Sequence, residues 1–87
     1  MHDNTEKRRF ELRVGDETVF ADYRRQEGLL FITYVYAPPV LRGTGAAGRL
    51  MEAVARRARD DGQRIVALCS YAGAWLRRHP DHRDLLA

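Results

Sequence analysis

The sequence predicts an α+β domain: a mixed sheet with helices packed on it, in the order β-β-β-α-β-α. Three observations carry this. The first half holds short runs of strand period punctuated by turn residues. From about Ala46 to Asp60 the apolar residues switch to helical spacing. A glycine-rich stretch, Gly43 to Gly48, separates the two regimes. The chain has 87 residues, which allows one domain. We expect a flexible tail over 1–8 and the folded domain over 9–87.

Each element has its own signal. Phe10, Leu12 and Val14 alternate with Glu11 and Arg13, the period of a half-buried strand. Gly15-Asp16 turns the chain into a second strand, Thr18 to Arg25, with Val19, Ala21 and Tyr23 on one face. Phe20 interrupts that alternation. After the Glu27-Gly28 turn, Leu29 to Tyr36 is an unbroken apolar, β-branched and aromatic run, read as a central strand covered on both faces. Pro38-Pro39 stops it. In the helix that follows, Ala47, Leu50, Met51, Val54 and Ala58 form one stripe, and Gly62 closes it. Ile65 to Cys69 reads as a short buried strand, parallel to the third through a right-handed crossover. Ala72 to His79 reads as a second helix stopped by Pro80, with a last turn over Asp81 to Leu86.

Composition excludes several classes of protein. With 45% hydrophobic and 31% charged residues the chain reads as an ordinary globule. No apolar run approaches the roughly 20 residues that span a bilayer. The polar start, Met1 to Phe10, does not read as a secretory signal. A lone cysteine, Cys69, forms no internal disulfide, and no metal site is expected: His79 and His82 flank Pro80 without a third ligand nearby. A reducing cytoplasm is the expected location. The net charge of +3 suits a phosphate-rich ligand as well as nucleic acid. Nucleic acid is not favoured, because no long basic run interleaves with aromatics.

The sharpest feature is Leu41-Arg42-Gly43-Thr44-Gly45-Ala46-Ala47-Gly48, placed between a strand and a helix. Small residues let a ligand approach the backbone. The first helical N–H groups lack internal partners and the helix dipole adds positive potential, which together favour phosphate or pyrophosphate. A P-loop reading fails, since Arg49-Leu50 follows Gly48 where lysine and Ser or Thr are needed. Gly43, Gly45 and Gly48 match G-x-G-x-x-G, but no carboxylate ends the next strand, and three antiparallel strands precede the turn.

Arg42, Gly45 and Ala47 fill a third pattern: Arg or Gln, two residues, Gly, one residue, Gly or Ala. This resembles the pyrophosphate signature of the GNAT superfamily of N-acetyltransferases, and the element order resembles the GNAT core shortened at its start. Cys69-Ser70-Tyr71, Trp75-Leu76, His79-Pro80 and Asp84-Leu85-Leu86 are similar to the tail of a minimal, cysteine-containing branch of that superfamily. The likeness covers about residues 10–86. It implies that acetyl-CoA binds with its pantetheine arm on the backbone near Tyr36 and Ala37. The pyrophosphate would then lie on the N–H groups of Arg42, Gly43, Thr44, Gly45, Ala46 and Ala47. The thioester would point toward Cys69, the candidate catalytic residue, through proximity to the acetyl group rather than an obligatory covalent intermediate.

Two departures from the branch stand out. Tyr34-Val35-Tyr36 replaces a His-Thr-Glu-like stretch, which removes an evident base. Ala67 stands where a proline often precedes the cysteine by two residues. Tyr34 and Tyr36 share one strand face, expected to border the acceptor cleft. Tyr71 and Trp75 share a helix face and read as core or cofactor-wall packing. The resulting expectation is acetyl transfer from acetyl-CoA to an amine, small molecule or protein, with the acceptor and the oligomeric state open. The alternatives are a non-catalytic acyl-CoA-binding regulatory module and a small basic nucleic-acid-binding domain.

Overall fold

A computed structural model describes the whole chain, Met1–Ala87. The elements are β1 (His2–Asn4), β2 (Arg9–Val14), β3 (Glu17–Gln26), β4 (Leu29–Tyr36), a 3₁₀ turn (Pro39–Leu41), α1 (Ala46–Asp60), β5 (Arg64–Ala67), α2 (Ser70–Arg78) and a closing 3₁₀ segment (Pro80–Leu85). The strands lie side by side in chain order in one five-stranded sheet. The first four are antiparallel neighbours, and β5 runs parallel to β4. This is the expected mixed α+β architecture with one strand added at its start.

That added strand corrects the reading of residues 1–8 as a flexible tail. His2, Asp3 and Asn4 pair with Glu11, Phe10 and Arg9. The pairing is held from far along the chain. Asp3 accepts a hydrogen bond from the Tyr23 hydroxyl and ion-pairs with Arg25 at 3.3 Å and Arg57 at 3.6 Å. A three-residue strand secured by such partners leaves no local periodicity to read. Asp3→Ala removes the shared acceptor from a side chain only 11% exposed. We expect it to cost about 1–3 kcal/mol in urea unfolding, the usual effect of stranding hydrogen-bonded charges.

The core lies between the sheet and a single layer of helices. Phe10, Val19, Ala21, Leu30 and Ile32 come from the sheet, Leu50, Met51 and Val54 from α1, and Ala72 and Leu76 from α2, all without solvent exposure. Each such large aliphatic or aromatic side chain contributes about 1.5–3 kcal/mol by leaving water. α1 follows the predicted stripe, with Ala46 and Ala55 joining it. Its Glu52 meets the closing segment, accepting a hydrogen bond from His82 Nε2 at 2.7 Å, while Trp75 stacks on His79 and His82.

Glu52 is held below the usual carboxylate range by the hydrogen bond from Arg56 and then by that from His82. A depressed carboxyl contributes stability above its unfolded value that is lost as pH falls through the lower folded one. Glu52→Gln is therefore expected to flatten the acid limb of Tm against pH between about pH 5 and 3.

The expectation that the central strand is covered on both faces also needs correction. β4 is apolar throughout because one face packs into the core and the other carries an uncovered aromatic cluster. Phe20 stacks on Tyr36 at 5.3 Å and lies 6.2 Å from Tyr34, which is half-exposed. Arg9 lies 3.7 Å over the Phe20 ring and bonds Asp22 at 2.7 Å. Phe20 broke the alternation of its strand because it belongs to this second apolar surface.

Candidate functional site

The site begins where β4 and β5 part. Their last parallel pair is Ile32 with Ala67; the N–H groups of both Leu68 and Cys69 then donate to the Ile32 carbonyl, and the chain enters α2 at Ser70. Beyond Ile32, β4 keeps β3 on one side and has no strand on the other. A bulge at Thr33 accompanies the parting: the register with β3 steps from Tyr23–Ile32 to Asp22–Tyr34, and the Thr33 hydroxyl donates to the Asp22 carbonyl. The extra residue turns Val35 toward the helices, with Tyr34 and Tyr36 on the other face.

A cavity of about 360 Å³ occupies the helix side of this parting. Val35 of β4 and Ala37, just beyond that strand, form one wall; Leu41, Arg42, Gly43, Gly45, Ala46, Ala47 and Gly48 form the turn and first helical residues; Tyr71 from α2 closes the far side. The turn is built by glycine conformation. Gly43 and Gly45 have φ of +80° and +86°, a region side chains disfavour, and a Cβ at either would meet nothing within 4 Å. Backbone direction, rather than crowding within the protein, requires glycine there.

The hydrogen bonds around the turn sort its donors. Arg42 N–H donates to Pro39, Thr44 N–H to Leu41, and Ala46 N–H to the Thr44 hydroxyl. The N–H groups of Gly43, Gly45, Ala47 and Gly48 make no bond within the protein. Gly43 and Gly45 are exposed and Ala47 and Gly48 partly buried, and all four lie at or beside a helix N-terminus, whose first N–H groups have no intrahelical partner. The Arg42 Nε donates to the Ala37 carbonyl at 2.9 Å, and its guanidinium lies 5.7 Å over the Tyr36 ring.

Residues singled out from the sequence divide accordingly. Ala37, Arg42, Gly43, Gly45, Ala46 and Ala47 line the cavity. Thr44 does not; its hydroxyl also donates to the Leu41 carbonyl and braces the turn. The Tyr36 ring lies on the opposite face, leaving only its backbone beside the parting. Cys69 is the half-buried residue preceding α2, packed against the core and not on the cavity wall. The cavity also takes in Gly48, whose N–H is the fourth free donor and which the sequence reading left out of the site, and Tyr71, which that reading left between core and cofactor wall. Burial, foremost, and the neighbouring Cys69 push the Tyr71 hydroxyl above its ordinary range, against a lowering by Arg78. The i, i+4 pairing of Tyr71 and Trp75 was visible, but not which of them reaches the cavity.

Gly48 tests this geometry. A Cβ there would meet Trp75 Nε1 at 3.4 Å and Tyr71 Oη at 4.0 Å, the edge of ordinary contact. Gly48→Ala should raise thermal stability by up to about 1 kcal/mol, since glycine is costly inside a helix. Gly48→Leu should fill the cavity and abolish ligand-induced stabilisation in the same melts.

A glycine-built turn opens the first helix beside a parting of parallel strands, after an antiparallel meander, in a mixed α+β domain. Residues 9–85 match the family described as GCN5-related N-acetyl-transferase. The chain belongs to that family, within the GNAT superfamily. Its fold is similar to the NMR solution structure of a GCN5-like protein from Staphylococcus aureus, with a TM-score of 0.64 and 19% identity over 90% of this chain and 87% of that one. No curated protein matches. No helix is long and apolar enough to cross a membrane.

Proposed function

We propose that this domain is an N-acetyltransferase that takes its acetyl group from acetyl-CoA and passes it to an amine. The observation that carries the proposal is the set of free N–H groups at Gly43, Gly45, Ala47 and Gly48, opening into a cavity bounded by Arg42 and Tyr71. Those donors and the α1 dipole suit a pyrophosphate, and Arg42 adds a charge-assisted contact. The unpaired side of β4 at Val35 to Ala37 offers backbone groups to an amide-bearing arm.

Bound acetyl-CoA supplies an activated acyl carbon and a thiol leaving group. The chain's residues do the rest. The cavity wall of Val35, Ala37 and Leu41 excludes water from the acyl group. As the amine nitrogen bonds to the acyl carbon and the carbon–sulfur bond breaks, Tyr71 Oη gives its proton to the departing thiolate, and the amine's proton passes to solvent. Cys69 shapes the neighbourhood of Tyr71 and is not needed as a covalent carrier. Such chemistry fits the cytoplasm, where the thiol stays reduced.

One observation favours a non-catalytic acyl-CoA binder: no carboxylate or imidazole lines the cavity. Thermal melts with CoA, acetyl-CoA, ATP and NAD, followed by release of free thiol from acetyl-CoA with an amine panel, separate the two. The proposal expects stabilisation by CoA and acetyl-CoA above that by ATP or NAD, and thiol release that depends on the amine. Stabilisation without turnover overturns catalysis. Equal stabilisation by all four ligands overturns the site.

A further inference from the structure

We infer that the acceptor is a weakly basic amine on an apolar or aromatic body, such as the α-amino group of a peptide or amino-acid amide with a large apolar side chain, received on the open sheet face by Phe20, Tyr34, Tyr36 and Leu68. The inference rests on the acetyltransferase reading above.

The cavity where β4 and β5 part lies on the helix side of the sheet and is assigned to the acyl donor, which leaves the opposite, open face to the second reactant. That face carries the ring cluster of Phe20, Tyr34 and Tyr36 on β3 and β4, and Leu68 follows β5. Tyr34 is 50% and Leu68 57% exposed, so this apolar surface is presented to solvent beside the candidate site. Flat aromatic faces spaced 5.3–6.3 Å apart suit an apolar or aromatic body.

On this face the carboxylates of β2 and β3 are engaged: Glu11 accepts from Asn4 and Asp22 from Arg9. Arginines already cover the aromatic rings, Arg9 over Phe20, Arg24 over Phe31 and Arg42 over Tyr36. A polycationic acceptor meets these guanidiniums on a chain of net charge +3, while the half-exposed Tyr34 ring, with no arginine over it, is left for an apolar body.

His79 is bonded to the Trp75 carbonyl and His82 to Glu52, within the helix layer. No carboxylate or imidazole lines the cavity, and on the open face Asp22, which pairs across from Tyr34, is held by Arg9 at 2.7 Å, so the acceptor must arrive already neutral. At pH 7.5 an α-amine is roughly one-third neutral and a lysine side chain roughly one part in a thousand, a difference of about 200–300-fold. The site therefore selects against strongly basic amines without a specific contact.

The test compares phenylalaninamide, alaninamide, Nα-acetyl-lysine amide and spermidine at pH 7.5 with saturating acetyl-CoA. We expect kcat/KM for phenylalaninamide to exceed that for the lysine derivative and spermidine by about 100-fold or more. It should exceed alaninamide by about 10-fold, and Tyr34→Ser should abolish that second preference with CoA affinity unchanged. Leu68→Ser should lower it as well, in case the tyrosine variant is unstable. Equal or better turnover of the lysine derivative or spermidine overturns the acceptor assignment and leaves the acetyltransferase reading intact. So does a phenylalaninamide preference that survives both variants. Thiol release with none of these amines, despite CoA binding, overturns the acetyltransferase reading itself.

Discussion

Gly45→Asp is expected to abolish CoA binding. Three effects act in the same direction. The Gly45 N–H is one of four free donors of the turn, and α1 begins at the next residue. Aspartate brings a negative charge to where a pyrophosphate belongs. It also disfavours the backbone, since φ at Gly45 is +86°. Loss of even two charge-assisted hydrogen bonds, at about 1.5–3 kcal/mol each, weakens binding more than 100-fold. Gly45→Asn separates the causes: asparagine tolerates left-handed backbone better than most residues and is uncharged. Titration calorimetry should show weakened but measurable binding for asparagine and none for aspartate. Equal CoA affinity in wild type and Gly45→Asp would remove the ligand from this turn.

The second large effect is expected at Tyr71. Tyr71→Phe removes the only ionisable hydroxyl on the cavity wall while keeping its ring. General acid catalysis by one positioned group is worth about 10²–10⁴-fold. We expect kcat to fall by at least about 100-fold, with CoA affinity within a factor of about three, because a group acting on the departing sulfur acts in the transition state. The tyrosine is held above its usual range by burial, so wild-type turnover should decline only in strongly alkaline solution as this proton is lost. Cys69→Ala should retain CoA binding and measurable turnover, since the cysteine lies off the wall. A trapped acetyl group on Cys69, together with complete loss of turnover in the alanine variant, would instead make the cysteine the carrier and Tyr71 its neighbour. The two variants therefore rank the residues independently of the acceptor used.

The elements that arise from local repetition were legible in the sequence. Alternation at Phe10, Leu12 and Val14, helical spacing from Leu50 to Ala58, and the glycine stretch at Gly43 to Gly48 each follow from contacts within a few residues, and each stands in the structure with small changes of boundary. The free N–H groups of the turn were equally legible, because they are a local property of a helix start. What tertiary structure alone decided came from residues distant in the chain. Asp3 becomes part of a strand through Tyr23, Arg25 and Arg57. The bulge at Thr33, set by pairing with β3, assigns Val35 to the cavity and Tyr34 and Tyr36 to the open face. Which turn donors stay free was fixed by Pro39, Leu41 and the Thr44 hydroxyl, and which residue of α2 meets the cavity by how that helix leans on Gly48. Periodicity reports which residues avoid water. It does not report which of two apolar faces a helix covers, because that choice depends on partners that only the folded chain brings within reach.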